Sequence, residues 1–278
     1  MCYNTVTHKW LLNNQAKDIW AEFKEVSKMM HSILIIGQSN MAGRGFKEEV
    51  PPIINDKLYV LRNGRWRAMY VPVNPDRAFS GINLVESFAD SYANEHNVDV
   101  GIIPCADGGT SLDQWQVGGL LFDHACYMAE LASRTSTISA VLWHQGESDC
   151  SEEKYPLYEK KLTIILDAFR KRLGLYDVPF LLGGLGDYLE FCDRSDNLKN
   201  YIYVNEALET VANKNKMTAF VSAKGLSANP DNLHFSAQAL REFGLRYYDE
   251  FLKIEDKNKV FEEKSTPDQA IRNDIENL

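Results

Sequence analysis

The chain has 278 residues, of which 45% are hydrophobic and 25% charged, a balance typical of a globular domain with a well-buried core. Its formal net charge of -9 disfavours nucleic acid and anionic membrane surfaces as partners, and no apolar run reaches the roughly 18 residues of a membrane span. The five cysteines form no CxxC pair, so the sequence predicts neither a disulfide framework nor a zinc site.

Residues 1–30 are expected to form a helical extension ahead of the main domain, because apolar side chains within residues 9–30 recur at roughly helical intervals. No basic region followed by an apolar stretch opens the chain, which favours a cytoplasmic location. The main domain is expected over residues 31–254, and residues 255–278 are expected to form a polar tail. No chemistry is assigned to either end.

Five short apolar runs predict β-strands, and segments with helical periodicity separate them. This alternation predicts an α/β fold whose five-stranded, mainly parallel sheet is covered by helices on both faces. Residues 46–80 interrupt the alternation with four prolines and predict a long excursion, with a small hairpin near residues 58–70. The predicted strands are residues 32–36, 98–103, 138–143, 178–182 and 218–222, and the predicted helices are residues 84–96, 122–133, 155–173, 196–213 and 236–253.

Each predicted strand is followed by a cluster of small and polar residues. Ligands of open parallel sheets bind outside the carboxyl ends of the strands, so these clusters are expected to meet in one site. Turn chemistry explains Gly and Asp in such loops, but not Ser, Gln, Glu and His together. The clusters are residues 37–45, 104–111, 144–149, 183–187 and 229–234.

Three of these residues have the chemistry of a hydrolytic triad. Ser39 follows the first strand and becomes a nucleophile if a base removes its proton, a role that suits His234. Asp231, three residues before His234, can reach the far ring nitrogen and fix the tautomer. A helix cap is the competing interpretation of Ser39, and an ordinary loop residue that of His234.

An ester hydrolase also needs hydrogen-bond donors for the oxyanion of its tetrahedral intermediate. The sequence offers the Ser39 N–H, the Gly109 N–H and the side-chain amide of Gln145. A simple turn is the competing interpretation of the double glycine at residues 108–109. The segment from Gly37 to Gly45 contains neither a phosphate-binding GxxxxGK[ST] motif nor a dinucleotide-binding GxGxxG motif.

The segments 37–40, 108–110, 144–147 and 231–234 together resemble the SGNH hydrolases, and more closely their branch of sialate O-acetylesterases and acetylxylan esterases. The resemblance covers residues 32–253. It implies a three-layer α/β/α flavodoxin-like fold and the removal of acetyl groups from carbohydrates. It also implies Ser39 as nucleophile, His234 as base and Asp231 as its orienting acid, with Glu147 as a carboxylate that can also approach the histidine.

Other residues in these segments are candidate contacts for the substrate: Gln38, Asn40, Arg44, Thr110 and Trp115. Trp115 is expected either to stack on a sugar ring or to lie in the core. Arg44 is expected either to contact the substrate or to pair with a carboxylate.

The predicted substrate is therefore a small-molecule or oligosaccharide acetyl ester, and oligomerisation of the chain with itself stays open. The chemistry needs no cofactor and no metal, so activity is expected to survive EDTA. Two alternatives stay open: an esterase or thioesterase that acts on lipid or another non-sugar acyl group, and a non-catalytic carbohydrate-binding protein on the same fold.

Overall fold

A computed structural model describes residues 30–264, with side chains up to residue 256. It contains one seven-stranded sheet with the order β3-β2-β4-β1-β5-β6-β7. All neighbouring strands are parallel except β2 and β3, which form an antiparallel hairpin. The strands are β1 (Met30–Gly37), β2 (Leu58–Arg62), β3 (Arg65–Ala68), β4 (Val100–Pro104), β5 (Ser136–His144), β6 (Phe180–Gly183) and β7 (Thr218–Val221).

The α/β fold and all five predicted strands are confirmed, but the predicted number of strands is wrong. The two additional strands are β2 and β3, the hairpin that was expected in the excursion. β2 pairs in parallel with β4 and thereby extends the sheet at one edge. The short β2 and β3 contain three arginines in nine residues, so their sequence lacks the continuous apolar run of the central strands.

Helices cover both faces of the sheet. This cover is needed because the side chains of the central strands β1 and β5 are apolar on both faces. Residues 33–36 of β1 are completely buried, as expected for a central parallel strand. Helix α2 packs against α6, while α3 packs against α4 and α4 against α5. The helices are α1 (Ser39–Ala42), α2 (Val85–His96), α3 (Leu120–Ala132), α4 (Tyr158–Leu173), α5 (Tyr201–Lys214) and α6 (Ala237–Lys264).

Most predicted helices agree with the structure within a few residues, and the differences lie at their ends. The predicted starts at residues 155 and 196 are 3₁₀ turns, Tyr155–Leu157 and Asp196–Asn200, that lead into α4 and α5. Helix α6 continues to Lys264, beyond the predicted end at residue 253, through a segment rich in the good helix formers Glu and Lys.

The expectations for the chain ends concern residues outside the described part. The predicted extension over residues 1–30 lies there except for Met30, the first residue of β1. Residues 265–278 of the predicted tail lie there as well. Within the described residues no helix is long and apolar enough to cross a membrane.

The order in which strands are added to the sheet reverses at β1. The strands β2 and β4 lie on one side of β1, and β5, β6 and β7 follow on the other side. Ligands of doubly wound sheets bind where the strand order reverses, at the carboxyl ends of the strands. The carboxyl end of β1, where Ser39 stands, is that position.

Candidate active site

Ser39 is the first residue of the single-turn helix α1, directly after β1. The chain can turn there because Gly37 adopts a φ of +139°, and a Cβ on Gly37 would lie 2.0 Å from the carbonyl oxygen of His144. The glycine therefore lets the ends of β1 and β5 approach each other. The Ser39 hydroxyl lies 3.0 Å from His234 Nε2 and makes no cap of helix α1. The structure therefore does not support the alternative interpretation of Ser39 as a helix cap.

The second partner of His234 is Asp231. Asp231 Oδ2 lies 2.7 Å from His234 Nδ1, while Oδ1 accepts hydrogen bonds from the backbone N–H groups of Leu233 and His234 at 3.0 Å each. With Nδ1 protonated and donating to the carboxylate, Nε2 presents its lone pair to the Ser39 hydroxyl. The chain Ser39–His234–Asp231 has the geometry of an activated nucleophile, a base and an orienting acid.

The pKa of Asp231 is lowered from its ordinary value. Burial is the largest single influence and raises it, but the two backbone N–H bonds, the imidazole hydrogen bond and the histidine charge together outweigh burial. The carboxylate is therefore charged at every pH at which His234 could act as a base.

Glu147 has a different partner from Asp231. Its Oε1 accepts a hydrogen bond from Asn40 Nδ2 at 2.5 Å, and it lies 3.9 Å from Nδ1 of the buried His144. Among the hydrogen bonds of the described residues, none joins Glu147 to His234. The geometry thus separates the two carboxylates that the sequence left as alternatives, with Asp231 next to the histidine.

Asn40 holds the loop that carries His234. Its Nδ2 also donates to the carbonyl oxygen of Leu233 at 3.2 Å, and its Oδ1 accepts from the N–H of Phe235 at 3.1 Å. The completely buried Asn40 amide therefore clamps the residues on both sides of His234, and Glu147 fixes its orientation. Asn40 supports the base and is buried away from any substrate.

The Gly108–Gly109 loop lies over Ser39. A Cβ on Gly108 would lie 3.5 Å from Ser39 Cβ and 2.5 Å from Arg44 Nη2, so only glycine fits there. Gly109 has a φ of +79°, in the left-handed region that favours glycine. Among the described residues, neither the Ser39 N–H nor the Gly109 N–H donates to a hydrogen-bond acceptor.

Arg44 pairs with a carboxylate, one of its two predicted roles. Its guanidinium makes a two-point ion pair with Asp76 at 2.9 and 2.7 Å, and both side chains are about 5% exposed. Asp76 Oδ2 also accepts the Gly108 N–H at 2.8 Å. Burial raises the pKa of Asp76, but the bonds from Arg44, Ser80 and Gly108 and the Arg44 charge lower it overall. This pair anchors the glycine loop.

The structure corrects the stacking role considered for Trp115. The indole is completely buried, packs edge-to-face against Trp143 at 5.6 Å between ring centroids and donates its N–H to Thr110 Oγ1. Thr110 is itself 2% exposed, and its hydroxyl donates to the carbonyl oxygen of Asp107. A buried ring and a buried hydroxyl cannot contact a sugar. Trp115 and Thr110 instead stabilise the glycine loop through the hydrogen bonds to Thr110 Oγ1 and to the Asp107 carbonyl oxygen.

Gln145 is also buried away from the site, so its predicted contribution to the oxyanion hole does not agree with the structure. Its Nε2 contacts Asp149 Oδ2 at 2.6 Å, the Thr110 carbonyl oxygen at 3.0 Å and Gln38 Oε1 at 3.1 Å. An amide nitrogen carries two hydrogens, and these acceptors already use both. Gln145 therefore ties β5 to the neighbouring loops.

These groups surround a cavity of about 470 Å³, a size suited to a small carbohydrate. Ser39, Gln38, Gly109 and His234 line it, whereas the clusters at residues 183–187 and 229–232 are not part of its wall. Phe79, which lines the cavity and is 70% exposed, is an aromatic residue of the site that the sequence did not predict. It lies in the proline-rich excursion, and only its position in a long loop could have drawn attention to it.

Among the described residues, no group of three or more His, Cys, Asp or Glu side chains is arranged to hold a metal ion. Cys105, Cys126, Cys150 and Cys192 are free and buried. Burial raises the pKa of Cys105 and Cys150 above the ordinary thiol range, so neither thiol is activated.

The chain also resembles known proteins in sequence. Residues 29–253 match the sequence profile of a protein family described as SASA, carbohydrate esterase, sialic acid-specific acetylesterase. A probable carbohydrate esterase of Arabidopsis thaliana is 28% identical over a 235-residue alignment, and the match covers 76% of this chain and 86% of that protein.

Solved structures show the same fold. An Arabidopsis thaliana protein solved at 1.6 Å matches with a TM-score of 0.72 and 27% identity over 81% of this chain and 98% of that one. NanS matches with a TM-score of 0.62 and 17% identity over 84% and 99% of the two chains. A carbohydrate acetylesterase from Xanthomonas citri matches with a TM-score of 0.59 and 18% identity over 78% of this chain and 55% of that one.

Proposed function

The chain belongs to this family of carbohydrate esterases, and from that membership we propose that it removes O-acetyl groups from carbohydrates by a serine mechanism with a covalent acyl-enzyme. Membership makes it a carboxylic ester hydrolase, as its sequence resemblance predicted. The observation that carries the serine mechanism is the hydrogen-bonded chain from Ser39 Oγ through His234 to Asp231, at 3.0 and 2.7 Å.

In the first half of the proposed reaction, His234 Nε2 takes the Ser39 hydroxyl proton while Oγ attacks the acetyl carbonyl carbon. The negative charge that develops on the carbonyl oxygen is stabilised by the Ser39 and Gly109 N–H groups, which have no other acceptor among the described residues. The imidazolium then returns the proton to the sugar oxygen as the carbon–oxygen bond breaks, which leaves an acetyl group on Ser39.

In the second half, water attacks the acetyl-serine and His234 removes a proton from that water. The tetrahedral intermediate collapses, acetate leaves and Ser39 Oγ regains its proton. Asp231 holds one tautomer throughout and stabilises the imidazolium that forms twice in each cycle.

The sugar is proposed to stack on Phe79 at the mouth of the cavity, in place of the buried Trp115. The Arg44 guanidinium lies 5.2 Å from the centroid of the Phe79 ring, within the range of a cation–π contact. The buried ion pair with Asp76 holds Arg44 in place, and Arg44 in turn restricts the position of the Phe79 ring. The Phe79 ring is 70% exposed and lines the cavity, so its face is accessible to a sugar ring.

The sialate and acetylxylan types of substrate differ in charge, and two arginines of the cavity support the sialate type. The side chains of Arg77 and Arg194 are 44% and 61% exposed, and they pair with Asp107 at 2.8 Å and Asp231 at 3.6 Å. Such an exposed pair contributes only about 0–1 kcal/mol, so the Arg194 guanidinium can turn to a sugar carboxylate at small cost. Arg77 also donates to the carbonyl oxygens of Asp76 and Gly108, at 2.8 and 3.1 Å, which hold it at the cavity wall. Acetylated xylan is the alternative, since it brings no carboxylate.

Ser39→Ala tests the catalytic proposal. The variant should fold and bind sugar but release no acetate from acetylated monosaccharides or p-nitrophenyl acetate, because the nucleophilic oxygen is gone. Ser151→Ala, a change in another serine of the cavity wall, should retain most of the activity. A fluorophosphonate should label the wild type and Ser151→Ala but not Ser39→Ala. Turnover by Ser39→Ala at the wild-type rate would refute the proposal.

The substrate type is tested with acetylated sialic acid, its neutral methyl ester and acetylated xylan. If the arginines bind a carboxylate, kcat/KM should be highest for the free acid and should fall with added salt. Equal values for the acid and its methyl ester would favour the neutral acetylxylan type. A rate that increases with acyl chain length on p-nitrophenyl esters would instead favour a lipid esterase.

A further inference from the structure

We propose that the side-chain amide of Gln38 is the third donor of the oxyanion hole, the role that Gln145 cannot fill. Gln38 directly precedes Ser39 and lines the cavity together with Ser39, Gly109 and His234. The inference rests on the proposed serine mechanism and adds a catalytic residue to it.

The carbonyl side of the Gln38 amide is fixed by three donors. Gln38 Oε1 accepts from Gln145 Nε2 at 3.1 Å, from the Gly146 N–H at 3.3 Å and from the Ser148 N–H at 3.4 Å. Backbone N–H groups can only donate, so a flipped amide would set its own N–H groups against those of Gly146 and Ser148. The oxygen of Gln38 must therefore face the loop after β5.

With its oxygen held there, the Gln38 amide must direct Nε2 the other way. Nε2 makes no hydrogen bond to any described residue, although Gln38 is only 3% exposed. Gln38 Nε2 is not one of the fully buried side-chain atoms that lack a partner among the described residues, so it keeps accessible surface and can donate to an acceptor that enters the cavity. The acceptor supplied by the proposed reaction is the carbonyl oxygen of the acetyl group, which becomes an oxyanion in the tetrahedral intermediate.

The buried network behind Gln38 makes this donor rigid. Asp149 Oδ2, the Thr110 carbonyl oxygen and Gln38 Oε1 share the two hydrogens of Gln145 Nε2, at 2.6, 3.0 and 3.1 Å. The Tyr158 hydroxyl lies 2.6 Å from the backbone carbonyl oxygen of Gln145 and 3.1 Å from its Oε1, and so holds the other side of this amide. A donor that is already oriented costs no reorganisation when charge develops, which is the source of its catalytic effect. Gln145 is thus a positioning residue that acts through Gln38.

Gln38→Glu separates anchoring from donation. The carboxylate keeps an oxygen that accepts from Gly146 and Ser148 but replaces the donating NH₂ with a negatively charged oxygen. We expect kcat to fall about 10²–10³-fold, as for the loss of another oxyanion donor, while KM changes only a few-fold. Gln38→Leu, which removes donor and anchor together, should lose at least as much kcat. Melting temperatures report whether either variant is folded.

Gln145→Leu provides the comparison. Since Gln145 contacts no reacting atom, we expect this variant to lower the melting temperature, with a smaller loss of kcat than in Gln38→Glu. If Gln38 instead binds a sugar hydroxyl, its variants should raise KM and leave kcat unchanged, and that result would overturn the inference. A kcat near the wild-type value in folded Gln38→Glu would overturn it as well.

A crystal structure of the wild-type enzyme with a small alkyl boronic acid tests the role of Gln38 without any substitution. A tetrahedral boronate on Ser39 Oγ mimics the intermediate, and one of its oxygens should lie about 2.7–3.1 Å from Gln38 Nε2. A boronate oxygen held only by the Ser39 and Gly109 N–H groups would overturn this inference and leave the serine mechanism intact. A boronic acid that forms no bond to Ser39 would count against the proposed function itself.

Discussion

At the scale of single residues, three carboxylates surround Ser39 and each has its own cationic or amide partner. Asp231 binds His234, Glu147 binds Asn40 and Asp76 binds Arg44. Their burial and partners differ, so their roles differ although their chemistry is the same. Only Asp231 contacts the base of the proposed mechanism.

Asp231→Asn should lower kcat by about 10⁴-fold, because an amide can donate to Nδ1 and so favours the wrong tautomer of His234. Acetate release under saturating substrate measures the effect. Glu147→Gln is the matched control: its amide oxygen can still accept from Asn40, so the loss of kcat should be much smaller. A larger loss in Glu147→Gln than in Asp231→Asn would make Glu147 the orienting acid.

Phe79→Ala should raise KM for acetylated sugars by roughly 2- to 10-fold, the equivalent of about 0.5–1.5 kcal/mol for a stacked ring. On ethyl acetate, which has no ring to stack, KM should change little. Trp115→Phe, a change in the buried ring, should instead reduce the free energy of unfolding by about 0.5–3 kcal/mol and leave KM for sugars nearly constant. The reverse pattern would return the stacking role to Trp115.

Residue type and spacing predicted Ser39, His234, Asp231 and Gly109 as members of one site, since a nucleophile, a base and an acid impose recognisable chemistry. The same signals could not tell whether Gln145 or Gln38 faces the reaction. Both are glutamines in loops at the carboxyl ends of neighbouring strands, and only the direction of their amides separates them.

At the scale of elements, the site is assembled from loops whose ends are fixed by the sheet. The loop after β1 carries Ser39, the loop after β4 carries Gly109 and the loop after β5 anchors Gln38. The excursion between β1 and α2 adds Asp76, whose pair with Arg44 connects the first two loops. A break in this pair should therefore loosen the glycine loop.

Asp76→Asn should reduce the free energy of unfolding by about 3–5 kcal/mol at neutral pH, because it leaves the buried Arg44 guanidinium without its counter-charge. The folded pKa of Asp76 is lowered, so its contribution is complete above the ordinary carboxyl pKa of about 3.9 and is lost as pH falls through the lower folded value. Urea unfolding at about pH 7 and at about pH 3 should show the difference between wild type and variant shrinking in acid.

The matched control is Asp107→Asn. The pair of Asp107 with Arg77 is partly exposed, with side chains 35% and 44% accessible, so its loss should cost no more than about 1 kcal/mol. An equal loss of stability in the two variants would mean that the buried pair with Arg44 has no special role.

The central strands were predictable as members of the sheet, whereas the sheet membership of β2 and β3 was not, for a physical reason. The central strands are buried on both faces and must be apolar throughout, a pattern that identifies them without tertiary information. β2 and β3 lie at the edge, where Arg62, Arg65 and Arg67 are tolerated, and their membership of the sheet depends on the pairing of β2 with β4. Pairing of distant segments leaves no periodic signal.

At the scale of the whole molecule, the strand order explains why residues 195 positions apart in the chain meet at 3.0 Å. β1 lies between β4 and β5, so the loops after these three strands share one edge of the sheet. The loop that carries His234 connects β7 to α6. Asn40 makes hydrogen bonds to this loop on both sides of the histidine. The fold brings nucleophile and base together without any continuous motif.

The sequence by itself determined the α/β class, five of the seven strands, the family and the residue types of the candidate triad, because burial and acid–base chemistry restrict which residues can stand at those positions. Only the tertiary structure decided the partners of interchangeable groups: Asp231 with His234 and Glu147 with Asn40, Phe79 exposed and Trp115 buried, Gln38 at the cavity and Gln145 behind it. Hydrogen-bond direction and burial depend on neighbours that are remote in sequence, so no local pattern encodes them.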